Sequence, residues 1–198
     1  ERITRLVDAL YGVMPEIEAD RGVLLTESYR ATEELPIIKR RSAAKAGDAI
    51  CVTGRLGISS KGLVDIMFGD LNTTAAKAHR RAQARTAEGA WLGTREEVHA
   101  MMDISDGIAS DIKHIMEQSR VGATINLDAI PTDYDIRYAI SGGEDYELMF
   151  TVPLAMQEQV MRLGLVDVVG HITRESTGAY LVTPDGSDIK LRAQGFKE

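Results

Sequence analysis

The segment Met102-Asp103-Ile104-Ser105-Asp106-Gly107 puts two carboxylates and a hydroxyl on a single short stretch. Asp103 falls at the end of an apolar run that reads as a strand, and Asp106 at the start of one that reads as a helix. A helix N-terminus presents unpaired N–H groups and partial positive charge, which suits an anion. Carboxylates beside such a place suit Mg²⁺, a hard cation that takes carboxylate, water and phosphate oxygens. Asp103, Ser105 and Asp106 are therefore candidates for a metal–phosphate site. The competing reading is a plain helix cap made by Ser105 or Asp106.

A second cluster is Ser141-Gly142-Gly143-Glu144-Asp145-Tyr146-Glu147-Leu148. Its glycines let backbone approach a ligand closely, and its acids sit at the mouth of an expected strand. Strict alternation would put Tyr146, Leu148 and Phe150 on one face and Asp145, Glu147 and Met149 on the other. The competing reading is a flexible turn whose acids face water. A third stretch runs from Lys39-Arg40-Arg41 through Ser42-Ala43-Ala44 to Lys45-Ala46-Gly47-Asp48. An arginine before a small-residue turn could grip a phosphate, although such a stretch is also an ordinary solvated patch.

Several other chemistries are absent from the sequence. There is no P-loop and no Gly-x-Gly-x-x-Gly. His79, His99, His114 and His171 lack metal-ligand spacing, and nothing assembles a Ser-His-Asp nucleophile. Cys51 lies inside an apolar run and reads as a core thiol.

These segments must be positioned by regular elements. Ile3, Leu6, Val7, Leu10 and Val13 mark one helix face over residues 1–19, with strands expected near Leu24 and Ile37-Ile38. Ala49–Thr53 reads as a buried strand and Ser59–Phe68 as a helix. Residues 71–90 read as Ala-rich helix with a mobile loop. Its basic run, Lys77, His79, Arg80, Arg81 and Arg85, reads as a solvated helix face. Next come a strand at Val98–Asp103, a helix carrying Ile108, Ile112, Ile115 and Met116, and strands over Ala123–Leu127 and Tyr146–Val152. Pro153 can open a helix with Met156, Val160, Met161 and Leu163 on its apolar face. A strand at Val166–Ile172 follows, then a hairpin of Tyr180–Val182 and Ile189–Leu191 through Pro184-Asp185-Gly186. The order from 98 to 172 is βαββαβ, a ferredoxin-like order. It predicts an α+β fold with an antiparallel or mixed sheet and both helices on one face.

The 198 residues are 44% hydrophobic and 27% charged, which fits a globular chain able to bury a core. No apolar run approaches the ~20 residues of a membrane span, and no secretory signal opens the chain. A single cysteine excludes an internal disulfide; the expected compartment is the cytoplasm. A net charge of −7 disfavours nucleic acid as a partner.

Asp103 to Ile115 resembles the Asp-Ile-Ser-Asp-Gly-Leu segment of thiamine-monophosphate kinases. So, in the same order, do Arg41 to Asp48, Gly142 to Leu148, Gly170-His171-Ile172-Thr173 and the closing Gln194-Gly195-Phe196. These kinases belong to the aminoimidazole-ribonucleotide-synthetase-like (PurM-like) ATP-binding superfamily, typically homodimers with two α/β domains per subunit. The resemblance implies a PurM-like C-terminal domain over residues 41–198 and the end of an N-terminal ATP- and Mg²⁺-binding domain over 1–40. It implies transfer of the ATP γ-phosphoryl group to thiamine monophosphate, with Mg²⁺ held by Asp103 and Asp106. Ser105 and Arg41 would contact ATP; Glu144 and Phe196 would contact the thiamine substrate. No residue need act as a protein nucleophile.

The family's Gly-Asp-Asp segment has no counterpart here, and its Gly-Gly-Asp-Thr segment is replaced by Ala19-Asp20-Arg21-Gly22-Val23. The expectation is a piece of a longer protein, with part of the metal-ligand set outside it. The 198 residues alone would not be expected to catalyse. Two other readings are another PurM-like ATP-dependent synthetase and a non-catalytic dimerisation or ligand-binding module.

Overall fold

The computed structural model describes residues 39–162 and 166–191. The expected helix over 1–19, the strands near Leu24 and Ile37-Ile38, and Phe196 lie outside the described residues. The chain divides into two compact units, and the larger takes in Lys39–Arg85 and Glu96 onward.

Its seven-stranded sheet has the order β2-β4-β1-β5-β3-β6-β7. The strands are β1 (Asp48–Thr53), β2 (Met101–Asp103), β3 (Val121–Asn126), β4 (Leu148–Pro153), β5 (Val166–Arg174), β6 (Ala179–Val182) and β7 (Asp188–Lys190). All neighbours are antiparallel except β3 and β6, so the sheet is mixed. The helices of this unit are α1 (Ile58–Met67), α2 (Thr74–Arg80), α4 (Ile108–Ser119), α5 (Ile136–Ser141) and α6 (Gln157–Met161). The helix α3 (Thr86–Gly93) belongs to the other unit.

The Ala-Ile-Cys-Val run of β1 is buried at every residue. That suits a strand covered on both faces, and β1 lies between β4 and β5. The expected βαββαβ unit of residues 98–172 therefore does not close on itself. A strand from outside it, β1, lies between β4 and β5, and β3 pairs with β5 and β6 instead of β4. The apolar face of α4 carries Ile108, Ile112 and Ile115, all fully buried in a core with Ile50, Val52, Ile104 and Met149. Burying each such isoleucine stabilises by roughly 1.5–3 kcal/mol. Arg120 ends α4 in a left-handed conformation, φ 55°. Pro153 precedes a short 3₁₀ turn that leads into α6, as its fixed φ favours.

Residues 71–90 form two helices instead of one. Thr73 starts α2 by accepting the Ala76 amide at 2.9 Å. The basic run there is not simply a solvated face. His79 is bonded to Ser59 Oγ at 2.8 Å, and Arg80 donates to the Leu71 and Ala76 carbonyls. Arg85 grips the Glu147 carboxylate through two bonds of 2.6 and 2.7 Å.

Candidate functional site

Strand β2 ends at Asp103 and α4 begins at Ile108, so the turn between them carries Asp103, Ser105 and Asp106. Asp103 and Ser105 are half-buried and Asp106 is exposed. Ser105 Oγ donates to Asp106 Oδ2 at 3.4 Å. Gly107 makes the final corner at φ 92°, a conformation that side chains rarely adopt. A Cβ there would also lie 2.7 Å from the Gly142 carbonyl.

Neither Ser105 nor Asp106 caps α4. Two amides of the turn ahead of the helix are held from inside by Asp111, which is 1% exposed. Its Oδ2 accepts the Ser105 amide at 2.9 Å and the Asp106 amide at 3.0 Å. Burial pushes the Asp111 carboxyl above the usual carboxylate range, against the pull of those two bonds. Sequence reading missed this residue. An acid in the first turn of a helix was the available signal, because such acids favour helix N-termini.

The second acidic segment lies directly against the first. The Ile104 amide donates to the Glu147 carbonyl at 2.7 Å, the Tyr146 amide to the Ile104 carbonyl at 3.0 Å, and the Glu144 amide to the Ser105 carbonyl at 2.8 Å. The approach is close enough that a Cβ on Gly143 would lie 2.3 Å from the Ser105 carbonyl oxygen. Glu144 and Tyr146 adopt φ 65° and 52°. Such conformations strain non-glycine residues and persist only where the surroundings impose them. They also break the alternation expected from Tyr146 onward, so β4 starts at Leu148.

The three acids of this segment have different fates. Asp145 and Glu147 do not face water; they are 8% and 6% exposed. Asp145 accepts the Gly57 and Ser59 amides at 2.6 and 3.0 Å and so closes the N-terminus of α1. Burial raises its pKa despite those bonds. Glu147 takes Arg85 together with the Thr53 hydroxyl at 2.7 Å, and Thr53 Oγ1 in turn accepts the Leu148 amide at 2.8 Å. Only the Glu144 side chain is mostly exposed, with His79 Nδ1 at 3.7 Å. An open cleft of about 420 Å³ borders this turn, lined by Ser60, Leu63 and Val64 of α1 and by Arg137, Tyr138, Ser141 and Gly142.

Arg41 is placed elsewhere. Its carbonyl accepts Ser119 Oγ at 2.6 Å, at the C-terminal end of the helix whose N-terminal end carries Asp106. Along α4 that is a separation of about 16 Å. The structure thus brings Asp103, Ser105, Asp106 and Glu144 together and leaves the Arg41 backbone apart from them.

The donor set of the Asp103 turn suits a hard divalent cation. Its donors, from Asp103, Ser105 and Asp106, are all oxygen. No described group of three or more His, Cys, Asp or Glu side chains could hold a metal by itself. A cation bound here would therefore complete its shell with water or phosphate oxygens, as Mg²⁺ does.

Residues 45–188 match the family of AIR synthase related proteins, C-terminal domain. The chain is 35% identical to the thiamine-monophosphate kinase of Escherichia coli (strain K12), covering 79% of this chain and 54% of that protein. It is 37% identical to the thiamine-monophosphate kinase of Methanospirillum hungatei, covering 76% and 50%. A solved structure of AaThiL complexed with AMPPCP and TMP superposes with a TM-score of 0.67 at 26% identity, covering 77% of this chain and 52% of that one. The chain spans about half the length of the curated relatives it matches.

Proposed function

The chain belongs to the family of AIR synthase related proteins, whose C-terminal domain it carries, and from that membership we propose that the full-length protein transfers the γ-phosphoryl group of ATP to thiamine monophosphate. The products are thiamine diphosphate and ADP. The observation that carries this reading is the backbone lacing of the Asp103–Asp106 turn to the Gly143–Glu147 segment. One body then offers oxygen donors for a metal-bound nucleotide beside an exposed carboxylate for a second substrate. The likeness to thiamine-monophosphate kinases supports that choice of acceptor.

In this reading Asp103 and Asp106 hold Mg²⁺, and the Ser105 hydroxyl donates to a nucleotide phosphate. When bound, the cation neutralises charge on the transferring group. Glu144, tied to Ser105 through its amide, orients thiamine monophosphate, and its negative charge suits the cationic thiazolium. Phe196 adds an aromatic face to that substrate. Arg41 contacts a part of ATP remote from the Asp103 turn. Transfer between two anions needs positioning and charge neutralisation more than a nucleophilic side chain. Residues 41–198 form the C-terminal domain, residues 1–40 belong to an N-terminal domain, and the protein works as a cytoplasmic homodimer.

The test is formation of thiamine diphosphate by the full gene product given thiamine monophosphate, ATP and Mg²⁺. Product that requires all three is expected. ATP consumption without thiamine diphosphate would overturn the choice of acceptor.

A further inference from the structure

Two backbone amides just ahead of α4 are already taken by a carboxylate of the protein's own. Asp111 Oδ2 takes the amides of both Ser105 and Asp106, while Oδ1 is buried with no partner among the described residues. These two amides precede Gly107, the residue that caps α4, and are thereby closed to any other acceptor. The same two bonds fix the peptide planes on which Ser105 and Asp106 are carried. A buried carboxylate beneath two further carboxylates also makes the turn repel a bare anion and attract a cation.

We propose that Asp111 is the positioning residue of this site: it presets Asp103 and Asp106 for a divalent cation and Ser105 for the nucleotide phosphate that the cation brings. The inference rests on the metal–nucleotide role proposed above for the same turn. Asp111 touches neither ligand. Its effect passes through the backbone of Ser105 and Asp106, as outer-shell partners commonly tune a metal site.

Mn²⁺, read by titration calorimetry and by its paramagnetic resonance, is the probe, with AMPPCP added in its presence or absence. Asp111→Ala removes the one oxygen, Oδ2, that accepts both amides. It should weaken Mn²⁺ binding by about 10- to 100-fold, the usual range for outer-shell changes. Ile112→Val, a neighbouring core change, should lower Tm with Mn²⁺ affinity unchanged. AMPPCP should bind the unmodified full chain measurably only with the cation. Equal Mn²⁺ affinity in folded Asp111→Ala and the unmodified chain would overturn the role of Asp111 and leave the kinase reading intact. Equal AMPPCP affinity with and without Mn²⁺ would overturn entry through the cation. An unmodified chain that binds no Mn²⁺ would overturn the metal reading of the turn, and this inference with it. If Asp111→Ala does not fold, hydrogen exchange in the unmodified protein decides. Protected Ser105 and Asp106 amides support the role, and open-loop exchange rates at both overturn it.

Discussion

The amide of Glu144 donates to the carbonyl of Ser105 at 2.8 Å, and this bond joins the turn that carries two aspartates to the turn that carries the exposed glutamate. Glu144 reaches it only by holding φ at 65°. The strain places its side chain outward while its two acidic neighbours point into the protein.

Gly143→Ala should separate the two turns. A methyl group there would meet the Ser105 carbonyl at 2.3 Å, and that atom is backbone, not the end of a flexible side chain. A stability loss of about 1–3 kcal/mol is expected, read by urea denaturation. Binding of Mn²⁺ and of thiamine monophosphate should both weaken in the folded fraction. Loss of only one ligand would show that the turns act separately.

Asp106→Asn and Glu144→Gln should split the two substrates. Both side chains are largely exposed, so the fold should survive either change. The first should lower turnover of the full-length enzyme by more than about 100-fold through lost cation binding, since charge stabilisation by a metal is worth several kcal/mol. The second should raise KM for thiamine monophosphate and leave KM for ATP close to its original value. Steady-state kinetics with each substrate varied in turn checks both. A Glu144→Gln loss confined to ATP would move Glu144 to the nucleotide side.

Asp145 should leave a mark on the pH dependence of stability. Burial raises its folded pKa above the ordinary carboxylate value of about 3.9, with the Gly57 and Ser59 amides opposing. The folded state then holds this proton more tightly than the unfolded state does. The group's contribution to stability is greatest below the ordinary value, declines as pH rises toward the raised value, and is level above it. Asp145→Asn should remove that decline from urea midpoints measured across the acidic range. It should also cost about 1–3 kcal/mol at neutral pH, because one of the two amides loses its acceptor. An unchanged profile would show that another acid sets the slope.

Cys51 lies fully buried at the centre of the sheet, and burial, with Asp48 nearby, pushes its thiol up to about 12. The thiolate that alkylating reagents require is therefore scarce at neutral pH. Iodoacetamide should label Cys51 only in denaturant, with labelling tracking the unfolding transition. Labelling of the native protein at the rate of a free thiol would contradict the packing of β1.

Much of the fold was legible because local pattern and final burial agree. The unbroken apolar run of β1, the spacing of Ile108, Ile112 and Ile115, and the proline before α6 each dictate an element without help from distant residues. The two acidic turns stood out as candidates for a related reason: glycines and carboxylates fall together there in a short span. The resemblance of those turns to thiamine-monophosphate kinases was readable as well.

What only the tertiary structure decided is which acids stay exposed beside the candidate site and which are buried in the scaffold. Asp145 and Glu147 looked as exposed as Glu144. They are buried because Gly57, Ser59, Thr53 and Arg85, between 62 and 94 residues away in the chain, supply the donors that a buried carboxylate requires. Asp111 looked like one more acid on a helix until the fold aimed it back at Ser105 and Asp106. Strand order was hidden likewise, since β1 reads as a buried strand wherever it pairs, and only packing put it between β4 and β5. Local sequence sets conformation and hydrophobic face. A buried charge is permitted only by partners that the chain brings from elsewhere, and their arrival is a property of the assembled fold.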